Sequence, residues 1–324
     1  MPPLTSRAHL ARLALAALGA CGAPSSTQLD ASTLPDGVAT QPDAHDDAAP
    51  PTGRDPAGDG DFVVTTQVVA IPIGTRSAAA TTFVPAAAPA PRPLVVISPG
   101  FQMPRTQYVS YAQHLASWGM TVVLADYADT SFFPDHQGLA DDVRGVITWA
   151  LAQPGLGADA TKIATAGHSL GGKISTLAAA DDTRIVAVIG WDPVDSTSPS
   201  VAPEKLTAMT AAVAVIGETT NAGGGGMPCA PNAENFARFY AAAPSPALAM
   251  TITGADHMDW VDDPSCGFCG FCAAGAASPD LARMATRRLD VAWLRLQLEH
   301  DTTMEAWLTA PPELAAGTAT VQRK

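Results

Sequence analysis

Short apolar runs separated by amphipathic stretches are what most narrows the folds open to this chain. LVVIS (94–98), TVVLA (121–125), KIATA (162–166), IVAVIG (185–190), AAVAVIG (211–217) and LAMTITG (248–254) are largely apolar on both faces. A strand buried on both faces belongs to a parallel sheet covered on each side by helices. FVVTTQVVAI (62–71) and ATTFVP (80–85) read as earlier strands. Helical stretches fall near 105–118, 137–153, 170–180, 232–242 and 279–299, the last with Ser278 as N-cap and Pro279 at the first helical position. The alternation predicts an α/β fold, a three-layer sandwich around a mostly parallel central sheet, in which ligands bind at the carboxyl ends of the strands.

Composition removes several function classes. With 47% hydrophobic and 15% charged residues the chain is too apolar to be disordered throughout. A formal net charge of −13, from 31 acidic against 18 basic residues, offers no footprint for a phosphate backbone, so no nucleic-acid partner is expected. No uninterrupted apolar run reaches the roughly 18–20 residues of a membrane-spanning helix. The start of the chain has the layout of an export signal, with Arg7 and Arg12, an apolar core from Leu13 to Leu18, and small residues before Cys21. Leu18-Gly19-Ala20-Cys21 resembles a bacterial lipobox. Residues 1–20 then read as a lipoprotein-type signal peptide and Cys21 as the acylated residue that tethers the protein to a membrane surface of the cell envelope. An ordinary secretory signal would instead release it. Residues 21–61, rich in Ala, Pro and Asp, read as an acidic linker; 62–310 form the catalytic body and 311–324 a C-terminal tail.

The chemistry centres on Gly167-His168-Ser169-Leu170-Gly171-Gly172, directly after KIATA and before a helical run. This is G-x-S-x-G in a strand–turn–helix setting, where glycines permit a tight turn that lifts the serine hydroxyl and the helix N-terminus offers an N–H to a developing oxyanion. The plain alternative is a glycine-rich turn. A serine needs a base, and seven histidines compete. His9 lies in the signal, His45 in the linker, His136 in a loop that suits a solvated role, and His114 and His300 on predicted helices. His168 adjoins the serine and should point away from it. His257, in Gly254-Ala255-Asp256-His257-Met258-Asp259, follows the last of these strands at the edge where Ser169 emerges, C-terminal to the serine. Ser98-Pro99-Gly100-Phe101-Gln102 follows another strand, and a sharp turn at Gly100 would let the N–H of Phe101 face the same point as that of Leu170.

These residues, with Asp192-Pro193-Val194-Asp195, Pro228-Cys229-Ala230-Pro231 and His257-Met258-Asp259, resemble the chlorophyllase-like branch of the α/β-hydrolases. GHSLGGK resembles that branch's nucleophile elbow, with Leu170 where arginine is frequent and Ser98 where many relatives carry histidine. The segment 292–308 also resembles the closing helix of bacterial polyester hydrolases and dienelactone-hydrolase-like enzymes. The resemblance implies an α/β-hydrolase fold, a Ser-His-Asp triad and an acyl-enzyme intermediate. For the acid it points to Asp192, the first aspartate of its segment, with Asp195 a minor contender. Glu218, the carboxylate at the end of AAVAVIG, is the alternative, and the position that resembles the acid of the polyester hydrolases is held by Asn221.

Cys229, Cys266, Cys269 and Cys272 remain. Four thiols at such spacing suit zinc or a cluster in a reducing compartment, but export favours two disulfides in one of three pairings. Taken together the sequence predicts an exported serine carboxylic-ester hydrolase, needing no cofactor or metal, acting on neutral esters of short or medium acyl, lipid-like or polyester type. The competing classes are a non-catalytic surface-binding lipoprotein on the same fold and a peptidase. Wild-type protein is expected to partition with membranes and to lose that behaviour in Cys21→Ser; fractionation, with mass spectrometry of the mature N-terminus, checks it.

Overall fold

The computed structural model describes residues 51–221, 229–265 and 269–324; the signal-like segment, Cys21, the linker through residue 50 and Cys266 lie outside the described residues. The chain runs through β1 (Val64–Ile73), β2 (Arg76–Pro85), β3 (Arg92–Ser98), α1 (Val109–Ser117), β4 (Thr121–Ala125), α2 (His136–Leu151), β5 (Ala158–His168), α3 (Leu170–Asp181) and β6 (Ile185–Trp191). It continues with α4 (Glu204–Thr207), β7 (Ala212–Glu218), α5 (Phe236–Ala242), β8 (Ala247–Ile252), α6 (Pro279–Glu299), α7 (Glu305–Thr309), α8 (Pro312–Ala315) and β9 (Ala319–Arg323).

One nine-stranded sheet has the order β1-β2-β4-β3-β5-β6-β7-β8-β9. It is parallel from β4 across to β8 and antiparallel at both margins, where β2 pairs with β1 and β4, and β9 pairs with β8. This is the α/β-hydrolase architecture. Residues of β3, β4 and β7 are buried throughout, as expected of strands covered on both faces. The core on one face holds Tyr111, Leu115, Trp191 and Trp293, from α1, β6 and α6. The core on the other holds Leu139, Ile174, Leu177 and Phe239, from α2, α3 and α5. The chain leaves β3 for β4 through α1 on the first face and returns past β3 to β5 through α2 on the second. Strand order therefore reverses between β3 and β5, and a crevice at such a switch point is where open α/β sheets bind ligands.

The structured body extends past both expected boundaries. Arg288 of α6, only 3% exposed, pairs with Asp55 at 2.8 Å and also with Glu313. A buried guanidinium needs carboxylate partners, and it draws one from the supposed linker and one from the supposed tail. Phe62 N–H donates to Ser117 O (3.0 Å), and β9 completes the sheet beyond residue 310. The segment 292–308 is not one helix: His300 adopts φ 57° and ends α6, after which Asp301 caps a new 3₁₀ turn. Arg288→Ala is expected to cost about 3–5 kcal/mol, because buried Glu313 loses its cation. Asp55→Ala, on the half-exposed side, should cost about 1 kcal/mol or less. Urea melts of both variants check the ranking.

Candidate active site

Ser169 stands between β5 and α3 with φ 55° and ψ −121°, a conformation that a non-glycine residue adopts only when its surroundings enforce it. Enforcement comes from close backbone packing. A Cβ on Gly171 would lie 2.1 Å from Ser98 O, and one on Gly167 would lie 2.5 Å from the Gly171 carbonyl. Only glycine fits at either position. Ser169 N–H donates to Trp191 O (3.0 Å), which ties the turn to the end of β6. Leu170 is the first residue of α3, so its N–H has no acceptor within the helix and points out at its N-terminus.

His257 opens a 3₁₀ turn, His257–Trp260, just beyond β8. A capping box holds that turn: Asp256 accepts from Met258 N–H (2.8 Å), and Asp259 accepts from Asp256 N–H (2.9 Å). The His257 ring is buried, with Nδ1 2.6 Å from Asp192 Oδ2 and Nε2 2.9 Å from Ser169 Oγ. A carboxylate can only accept, so Nδ1 carries the proton and the Nε2 lone pair faces the serine hydroxyl. Asp192 reaches this place because it is the first residue past β6 and turns there at φ 41°, with its own N–H donated to Ile216 O (2.6 Å). Burial pushes its carboxyl above the usual range, against the lowering effect of the hydrogen bond to His257. Thus Ser169, His257 and Asp192, drawn from the ends of β5, β8 and β6, form one connected chain.

Glu218 takes a different place. It ends β7 fully buried, and its carboxyl accepts the N–H groups of Thr220 and Asn221, the latter at 2.8 Å. Burial and the nearby Asp192 charge push its pKa up to about 8. Asn221, in turn, bonds both backbone groups of Ala273 (Nδ2 to O 2.9 Å; Ala273 N–H to Oδ1 3.0 Å). Asp195 forms a buried pair with Lys173 (3.4 Å) and accepts from Val201 N–H (2.9 Å), so it anchors the β6 loop without reaching the imidazole. Cys229 and Cys272 form a disulfide that joins the loop after β7 to the segment after the His257 turn, and Cys269 is disulfide-bonded too.

The loop after β3 completes the floor of the site. Gly100 is favoured there by close packing, not by a positive φ: a Cβ would come within 3.1 Å of both His168 Nδ1 and the Tyr108 hydroxyl, so either ring would have to give by a few tenths of an ångström. Gly100 N–H is bonded to the Tyr108 hydroxyl (3.1 Å), and Phe101, the next residue, lines the cleft together with Leu170. A cleft of about 480 Å³ adjoins these groups, lined by Phe101, Met103, Tyr127, Asp129, Leu139 and Leu170. Phe132 and Phe133, which sequence reasoning did not single out, stand 61% and 95% exposed beside it, with Phe132 edge-on to Phe101 at 6.1 Å. A double phenylalanine in a polar loop was the available signal. Among the other histidines, His168 stays off Ser169 but packs against the His257 ring at 4.7 Å. His136 is buried at the start of α2, with Thr197 Oγ1 3.1 Å from its Nδ1, and is not the solvated loop residue expected.

Because the Glu218 carboxyl has a folded-state pKa near 8 against 4.5 as its ordinary value, the folded protein holds a proton there that the unfolded chain has lost. That imbalance makes stability fall as pH rises through this interval. The wild-type melting temperature should therefore drop more between pH 5 and pH 8 than that of Glu218→Gln, and calorimetry on the two proteins at matched pH values checks it.

"Chlorophyllase type 0" from Chenopodium album is 27% identical over 211 residues, covering 54% of this chain and 60% of that relative, so the match spans less than two thirds of the relative's length. The profile of the family described as Chlorophyllase matches residues 59–321, from just before β1 into β9, a span that contains every group placed around Ser169. The chain belongs to the chlorophyllase family.

Proposed function

We propose that this protein is an exported serine carboxylic-ester hydrolase acting on neutral, largely apolar esters. The observation that carries the reading is the hydrogen-bonded chain Ser169 Oγ, His257 Nε2, His257 Nδ1, Asp192 Oδ2, with spans of 2.9 and 2.6 Å. In it Ser169 attacks the ester carbonyl as its proton passes to His257 Nε2. The imidazolium so formed is stabilised by the Asp192 carboxylate, and the tetrahedral oxyanion by the N–H groups of Leu170 and Phe101. His257 then returns the proton to the leaving alcohol. An acyl-serine remains, and water attacks it by the same route in reverse.

The cleft supports the substrate class. Its lining of Phe101, Met103, Tyr127 and Leu139, with the exposed pair Phe132 and Phe133 at its side, suits a hydrocarbon portion, and its volume lies in the range typical of small-molecule sites. Asp129 beside the cleft and the net charge of −13 oppose an anionic substrate. The esterified chlorophyll that the relative's name points to is one member of this class, with lipid-like and polyester substrates as others. Export is supported by the leader-like first residues and by the Cys229–Cys272 disulfide, which persists in an oxidising compartment.

A fluorophosphonate probe should label the wild type and not Ser169→Ala, and nitrophenyl esters of graded chain length should be turned over best at intermediate or long acyl length. Ser169→Ala should abolish that turnover with little change in melting temperature. Asp192→Asn should lower kcat by roughly 10⁴, as the wrong imidazole tautomer does elsewhere, whereas Glu218→Gln should cost far less. Absence of both labelling and turnover in the wild type would favour a binding protein, and the opposite ranking of the two acid variants would move the role to Glu218.

A further inference from the structure

The residue before the nucleophile makes two hydrogen bonds that the triad does not use. His168 is fully buried; its Nε2 lies 2.8 Å from the carbonyl oxygen of His257, and its Nδ1 lies 2.9 Å from the Tyr108 hydroxyl. Tyr108, equally buried, receives the Gly100 N–H at 3.1 Å. The direction of every link is determined. A carbonyl oxygen only accepts, so His168 Nε2 carries a hydrogen. Burial, and then the neighbouring His257, hold the ring neutral, far below the usual histidine range. A neutral imidazole protonated at Nε2 has a bare Nδ1, which therefore accepts the Tyr108 O–H. The hydroxyl oxygen is left to accept from Gly100. One polarised chain runs from the Gly100 N–H through Tyr108 to the His168 ring, whose other nitrogen donates to the His257 backbone.

Its two ends matter for chemistry. Gly100 precedes Phe101, whose amide is the second oxyanion donor in the reading above, and the other end grips the main chain of the base. The ring between them belongs to the residue covalently joined to Ser169. We propose that His168 is a positioning residue: through Tyr108 and its own two ring nitrogens it sets the oxyanion loop and the His257 backbone to one geometry about Ser169. Neutrality is part of the role, since a cationic ring 4.7 Å from His257 would oppose the imidazolium formed during turnover. The 3.1 Å approaches that would crowd a Cβ at Gly100 come from His168 and Tyr108, so the glycine and the two rings pack as one closely fitted unit.

For its activity readout the inference rests on the esterase reading. Tyr108→Phe keeps the ring and removes the middle link. With active sites counted by fluorophosphonate titration, its kcat on nitrophenyl butyrate should fall roughly 10- to 100-fold, less than the ~10²–10³ for loss of an oxyanion donor. KM should stay within about twofold, because the misplaced groups act on the transition state. His168→Phe should show the same split, and the double variant should be about as slow as the worse single one, since both break one chain. A merely structural role would lower the melting temperature and the number of titratable sites but leave kcat per site intact, and that result, or additive losses, would overturn the proposal. If His168→Phe does not fold, Tyr108→Phe alone decides through the same split. Nitrogen-15 spectra of the wild type give a readout independent of turnover. They should show His168 as the neutral Nε2–H tautomer, and a ring that titrates near the ordinary histidine value of about 6.5 would refute the chain of donors. Should the wild type show neither labelling nor turnover, the esterase reading fails, and the tautomer then stands or falls by these spectra alone.

Discussion

Backbone packed on backbone at the β5–α3 turn is the constraint on which the rest of the site depends. Ser169 is held at φ 55° and ψ −121°, a strain of order 1–3 kcal/mol that persists only where neighbours over-determine it. They do so here because Gly167 and Gly171 let the turn settle directly on the carbonyls of Ser98 and Pro99. That contact joins the ends of β3 and β5, the two strands on either side of the reversal in strand order. Ser169, the N-terminus of α3 and the loop after β3 thus share one rigid corner. A side chain at either glycine would separate them.

Around this corner the ends of β6 and β7 each bring a buried carboxylate, Asp192 and Glu218. They cannot both be charged cheaply in so dry a place. Asp192 faces His257 and gains a donor for its charge, whereas Glu218 faces the amides of its own loop and has its pKa raised to about 8. The division follows from reach. Asp192 lies one residue past the end of β6 and turns at positive φ, while Glu218 is still part of β7 and directs its carboxyl to the N–H groups two and three residues onward. Asn221 and the Cys229–Cys272 disulfide then fasten that loop to the segment that follows the base.

Much of this was legible in the linear chain. The central strands declared themselves because burial on both faces removes polar residues from an entire run, and the elbow because its glycines and serine stand between a strand and a helix. β9 did not, since ATVQR is a short edge strand with mostly exposed side chains. Nor did the body's true limits, because the contacts of Asp55 and Glu313 are made with Arg288, far away in sequence. Gly100 was read for a sharp turn, whereas its φ is not positive and what crowds the position is the closeness of two buried rings.

The sequence by itself determined the class of sheet, the glycine-flanked turn at Ser169 and the order of candidate groups along the chain, because periodicity, glycine chemistry and strand-end position are local properties. Only the tertiary structure decided which carboxylate meets His257, that His168 is joined through Tyr108 to the loop after β3 and directly to the His257 backbone, and which apolar side chains line the cleft. Those outcomes depend on distances between strand ends that are tens of residues apart, and a difference of a few ångströms there separates an acid that orients the imidazole from one that caps its own loop.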